Sequence, residues 1–301
     1  MTGRTRGGYL PGDPRDDAHI VREALVSELA AAKEAGQVGY MARLLAQATL
    51  PHSDPKVCEF ERSNGLITLT MVAPSKIGLP YGTVPRLLLV WLTTEAVRTR
   101  ERTLVMGATL SGFMRQLELV PTGGRWGTIP RLRMHMERLF ASQIQTRWEE
   151  PGHVRGEKLD VARRWELWWD PKSPGQAALW QSTVTLDVDF FEEVLAHHFP
   201  VDMVALRALR RSPMALDIYT WLSWRMSFLT NEVTIPWPAL RAQFGAGYAQ
   251  TRSFRQFFRR ALVSVLAVYP ELRARPYTHG LVLRESGTSV PRISRRGSAG
   301  R

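Results

Sequence analysis

Between Tyr248 and Leu266 the apolar positions recur every three to four residues. Phe254, Phe258, Ala261, Leu262 and Val265 fall on one helical face, and Arg252, Arg255, Gln256, Arg259 and Arg260 on the other. The same period predicts helices over Val84 to Thr99, Thr109 to Leu119, Thr128 to Gln143, Pro213 to Leu229 and Pro236 to Phe244. Pro85 and Pro213 sit in first turns, where a missing N–H costs nothing. In the Thr128 helix, Ile129, Leu132, Met136, Leu139 and Phe140 are expected to point inward, with Arg131, His135 and Arg138 opposite. Short alternating runs predict strands at Thr103 to Met106 and Val233 to Ile235. Two further strand pairs are expected, Ile144 to Glu149 with Val161 to Asp170, and Leu272 to Pro276 with Leu281 to Arg284.

Helix, strand, helix, turn, helix and two strands therefore occur twice, about 125 residues apart. The third helices align, with Leu132 matching Phe254, Met136 matching Phe258 and Phe140 matching Leu262. This order is that of a winged-helix domain. Ahead of the first copy, residues 1–13 are expected to be unstructured. Pro14 to Leu50 is expected to be helical, broken at Gly36 and Gly39. Asn64-Gly65 predicts a β-hairpin. Thr183 to Pro200 reads as a strand running into a helix. The expected class is α+β, mainly α. It comprises an N-terminal extension over 1–72, winged helices over 73–182 and 183–285, and an unstructured basic tail over 286–301.

Charge adds a direction. The formal net charge is +12 and the pI about 10.5. From Val201 onward there are 16 Arg against 5 Asp and Glu, so the C-terminal third holds nearly all the excess. Arginine forks suit phosphate and guanine, and the partner class this implies is a polyanion. The single cysteine, Cys58, excludes an internal disulfide and a cysteine zinc cluster, and fits a reducing cytoplasm as a small, partly buried hydrophobe. No apolar run reaches the length of a membrane span, and the N-terminus has no signal-peptide core. A cytoplasmic protein with no membrane partner is expected.

Candidate chemistry is sparse. His197-His198 lies near Glu192 and Glu193 without a metal-ligand spacing. His135 sits between Met134 and Met136, the inverse of the His-apolar-His element of nicking endonucleases. No phosphate-binding G-x-x-x-x-G-K-[ST] run is present, and Gly123-Gly124-Arg125-Trp126-Gly127 lacks the lysine and hydroxyl. No catalytic set, metal or cofactor is expected. Trp165, Trp168 and Trp169 could stack on single-stranded bases, but strand and core packing is the default. Trp91, Trp221 and Trp224 read as core. In GGRWGTIPRLR, a glycine turn opens onto a helix N-terminus, so Arg125, Thr128 and Arg131 are candidate phosphate contacts. Arg252, Arg255, Gln256, Arg259 and Arg260 are the candidates for a DNA major groove. Arg273, Arg275 and His279 in the second wing are candidates for the backbone. For each basic face a plain solvated surface is the alternative.

Four runs carry a family resemblance: IGLPYGTVPRLLLVWLTTEAVRTRER at 77–102, SGFMRQLEL at 111–119, PTGGRWGTIPRLR at 121–133 and ERLFAS at 137–142. They resemble plasmid replication initiators of the RepA and TrfA type. The resemblance implies tandem winged helices that bind directly repeated origin DNA (iterons) as monomers and open the adjacent duplex. It implies recruitment of the host initiator, the replicative helicase and the sliding clamp. It also implies a homodimer that exchanges with the monomer and is inactive for initiation. A dimeric transcriptional autorepressor with the same fold is the alternative. A nicking endonuclease or primase would need a ligand set that the sequence lacks.

Overall fold

The computed structural model describes residues 38–290, apart from Ala48, Leu66, Pro151, Pro171, Leu179, Trp180, Ala246 and Ala249. The expectations for residues 1–37 and 291–301 lie outside the described residues. Among the described residues the chain is mixed α+β, with helices packed against several small sheets.

The described chain opens with β1 (Val38–Ala42), which pairs antiparallel with a strand at His198–Asp202. Helical structure was expected across this stretch, but helix α1 is confined to Arg43–Gln47. Long-range pairing decides the conformation of residues 38–42. A Cβ at Gly39 would lie 2.5 Å from Met203 Sδ, so a larger residue there would have to displace the Met203 side chain. The hairpin follows as expected, with β2 (Glu59–Ser63) and β3 (Ile67–Val72) turning at Asn64 and at Gly65, whose φ is 90°. Cys58, expected to be partly buried, is exposed at its base.

The first unit runs α2 (Thr83–Thr99), β4 (Thr103–Val105), α3 (Leu110–Gln116) and α4 (Thr128–Ala141). Helix α2 is apolar on most sides because it lies between β1, α4 and two helices described below. Thr109 caps α3, its hydroxyl accepting from Gly112 N at 3.0 Å. After α4 the chain departs from expectation. Strand β5 (Gln143–Glu150) pairs with β3 on one side and with β6 (His153–Lys158) on the other. The strand pair beside β4 is β7 (Ala162–Glu166) with β8 (Thr183–Leu186), in the order β4-β8-β7. The β5–β6 hairpin is thus an insertion. Thr183–Leu186, read from sequence as the start of the second unit, completes the sheet of the first.

Helix α5 (Val188–Ala196), strand β9 (His198–Asp202) and helix α6 (Met203–Leu209) lead to the second unit. This comprises α7 (Pro213–Arg225), β10 (Val233–Pro236), α8 (Trp237–Phe244), α9 (Thr251–Val268), β11 (Ala274–Pro276) and β12 (Gly280–Leu283). Its sheet order is β10-β12-β11, the same first-third-second order as in the first unit. Residues 286–290, assigned from sequence to the tail, are packed. Ser289 is buried, and Tyr269 Oη donates to Gly287 O at 2.5 Å.

One hydrophobic cluster runs through both units, and a charged group lies inside their junction. Arg86 of α2 donates Nε and Nη2 to the two carboxylate oxygens of Asp217 of α7, each at 2.6 Å. Its remaining N–H groups reach Gly82 O at 2.6 Å, Leu50 O at 2.7 Å and Pro51 O at 3.2 Å. His52 Nε2 lies 2.8 Å from the second Asp217 oxygen. Burial pushes the Asp217 carboxyl up. The Arg86 charge and the hydrogen bonds from His52 and Arg86 outweigh it and hold the carboxyl at about 2.

Candidate nucleic-acid interface

Helix α9 is built as its apolar period predicts. Phe254, Phe258, Ala261, Leu262 and Val265 are all buried. Arg252, Gln256, Arg259 and Arg260 are exposed, and Arg255 is half-buried. Among the described residues no carboxylate lies within ion-pair distance of these four arginines. Three of them, Arg255, Arg259 and Arg260, are held instead by rings. The Trp237 ring at the start of α8 packs against Phe254 and Phe258. It carries the Arg255 and Arg259 guanidinium groups, each 5.5 Å from its centroid. Arg255 Nε is buried without a hydrogen-bond partner. Arg260 lies over the exposed Phe257 ring at 6.0 Å.

The β11–β12 wing is tied to the same tryptophan. Trp237 Nε1 donates to Tyr277 O at 3.0 Å, and Trp237 N to His279 O at 3.2 Å. Arg259 Nη2 reaches Tyr277 O at 3.5 Å. Arg273, Arg275 and His279 are exposed on this wing, with Arg275 over the Tyr277 ring at 5.3 Å. The structure therefore gathers Arg255, Arg259 and the wing backbone around one buried indole, with Arg275 on the neighbouring Tyr277 ring. Forked donors presented from a rigid base suit phosphate or guanine oxygens. The sequence pattern found the arginines but not Trp237, which reads as an ordinary helix-start hydrophobe.

The corner before α4 holds Arg125, Thr128 and Arg131. Arg125 and Arg131 are exposed, whereas the Thr128 side chain is engaged within the loop. Its hydroxyl donates to Val120 O at 2.5 Å and accepts from Thr122 N at 2.9 Å. Thr128 N donates to Thr122 Oγ1 at 2.9 Å. These bonds make Thr128 a brace for the loop. A Cβ at Gly127 would meet Thr122 O at 2.2 Å, so the loop closes only on glycine.

The inward face of α4 is as expected, but two residues assigned to its outer face are not free. His135 is buried, edge-on to Tyr81 at 4.8 Å, with Nδ1 lacking a partner. Burial, then the charges of Arg138 and Arg131, lower its pKa to about 4. Arg138 lies over Tyr81 at 5.2 Å and donates to Leu79 O at 3.2 Å. The Gly-Leu-Pro-Tyr-Gly run thus joins α4 to the start of α2. The tryptophans divide similarly. Trp169 is buried and stacked on Phe113, Trp165 packs on Phe140, and Trp168 is exposed. His198 Nδ1 lies 2.8 Å from Val194 O, and His197 lies 3.9 Å from Glu193. No His, Cys, Asp and Glu group suited to a metal occurs among the described residues. No described helix is long and apolar enough to cross a membrane.

Fold and site together define a two-unit α+β protein with a cationic helix face. Residues 79–237 match the family described as plasmid encoded RepA protein. The chain belongs to that family and is a plasmid replication initiator of the RepA type. The match ends at Trp237, so α9 and its wing lie beyond it. Domains 2 and 3 of RctB are similar in fold, with a TM-score of 0.50 at 12% identity over 77% of this chain and 86% of that one. A second structure of RctB domains 2–3 aligns at a TM-score of 0.47 and 12% identity, covering 79% and 94%. No curated protein matches the chain in sequence.

Proposed function

We propose that the protein binds directly repeated duplex DNA at its plasmid origin through two winged-helix units. Helix α9 enters the major groove with Arg252, Arg255, Gln256 and Arg259, while Arg260 lies alongside. The α9 face supports this most: Arg255 and Arg259 are fixed from beneath by Trp237, and all four arginines lack carboxylate partners among the described residues. Arg273, Arg275 and His279 hold the DNA backbone from the wing. Arg125 and Arg131 hold phosphates or a second groove segment, with Thr128 bracing their loop. The monomer binds the repeats, exchanges with a homodimer, and recruits host initiator, helicase and clamp in the bacterial cytoplasm. The protein itself carries out no enzymatic step.

The test is selection of bound duplexes from a random pool at near-physiological salt. One asymmetric motif spanning about two helical turns is the expected result. A palindrome would favour a dimeric autorepressor, and no enrichment at all would overturn sequence-specific binding.

A further inference from the structure

The loop before α4 leaves Trp126 82% exposed. Exposing so large an apolar ring is unfavourable, and the loop could bury it if it were slack. It is not slack. Gly127 N donates to Gly124 O at 3.1 Å, Ile129 N to Thr122 O at 3.2 Å, and Thr122 and Thr128 bond each other twice at 2.9 Å. The indole is therefore held out on a braced turn. Arg125 lies over the ring, 5.1 Å from its centroid. Arg131 and Arg133 are exposed on the first turns of α4. Among the described residues none of these three arginines has a carboxylate within ion-pair distance. A flat apolar ring that carries one guanidinium, at the entry to a helix whose first turns add two more exposed arginines, fits a flat ligand carried on an anionic backbone. The guanidinium lies on the ring, so one base stacks against the opposite face. In an intact duplex each base already has a neighbour on both sides.

We propose that Trp126, backed by Arg125, stacks on an unpaired nucleobase. This adds a single-strand capture point at Trp126, beside the phosphate contacts of Arg125 and Arg131 and separate from the duplex face of α9. The assignment rests on the DNA-binding function proposed above and adds a second kind of nucleic acid.

The test uses the full chain and two labelled probes at near-physiological salt, a mixed-sequence single-stranded oligonucleotide and the selected duplex. Trp126→Ala should weaken single-strand binding about tenfold, the loss of one base stack. Trp126→Phe should retain most of it, and duplex binding should stay within about twofold for both. Unchanged single-strand affinity in Trp126→Ala, or equal losses on both probes, would overturn the site while leaving duplex recognition standing. Failure of the wild-type protein to bind either probe would overturn both.

Discussion

Replacing Asp217 tests what joins the two units. Asp217→Ala removes the carboxylate that takes two hydrogen bonds from Arg86 and one contact from His52. Arg86 stays 97% buried, because its relative exposure is 3%. Its carbonyl partners at Leu50, Pro51 and Gly82 remain, but its charge loses its counterion. Breaking a buried pair from one side costs about 3–5 kcal/mol. The carboxyl points the same way: holding it at about 2 rather than the ordinary 3.8 favours the charged form by on the order of 2 kcal/mol. Asp217→Asn, which keeps the shape, should therefore cost about 2–3 kcal/mol. The folded value is the lower one, so the contribution is present above pH 3.8 and is lost as the pH falls toward 2. Urea unfolding of both variants measures the loss. The double variant Arg86→Met with Asp217→Leu should recover part of it, since the unpaired Arg86 charge is gone while the Leu50, Pro51 and Gly82 carbonyls lose a donor. A loss under about 1 kcal/mol in Asp217→Ala, or a double variant as unstable as the single, would refute the pairing as the source of stability.

Arg255→Ala should cost about 1–3 kcal/mol on the selected duplex and relax its sequence preference, read by competition binding against point-mutated sites. Arg131→Ala should instead weaken all duplexes alike and lower the slope of log affinity against log salt by about one. His135 is held at about 4 against an ordinary 6.5, so it stays neutral in the fold. Stability should fall by about 3 kcal/mol as the pH drops from 6.5 to 4, and His135→Gln should flatten that part of a urea-unfolding pH profile. Gly127→Ala should destabilise the α4 loop by about 1–3 kcal/mol, because its Cβ would meet the Thr122 carbonyl; a thermal melt measures it.

The parts legible in the sequence are those governed by local period and turn chemistry. Helix α9 was readable because its apolar and charged positions separate cleanly over 18 residues. The Asn64-Gly65 hairpin was readable because its turn chemistry is local. The β7–β8 pair was not, because the inserted β5–β6 hairpin supplies nearer strands with the same alternation. Strand β1 forms where the local pattern predicts helix, because its partner lies at 198–202. His135 shows a further limit. Its helical position borders the apolar stripe, three residues after Leu132 and four before Leu139, and the chain at Tyr81 folds over it. Arg86 and Asp217 lie 131 residues apart, and no local pattern links them. In each case the missing information was a partner far along the chain.

The pairing of β1 with β9 constrains the order in which the molecule can be completed during synthesis. A ribosome releases the N-terminal residues first. Strand β1 then waits, its edge unpaired, until His198–Asp202 has emerged, about 160 residues later. Over that interval a nascent chain presents an open strand edge near an incomplete core, the state in which intermolecular strand pairing competes with folding. The same stitch that fastens the segment between the units to the N-terminal region thus makes newly made protein dependent on synthesis reaching β9.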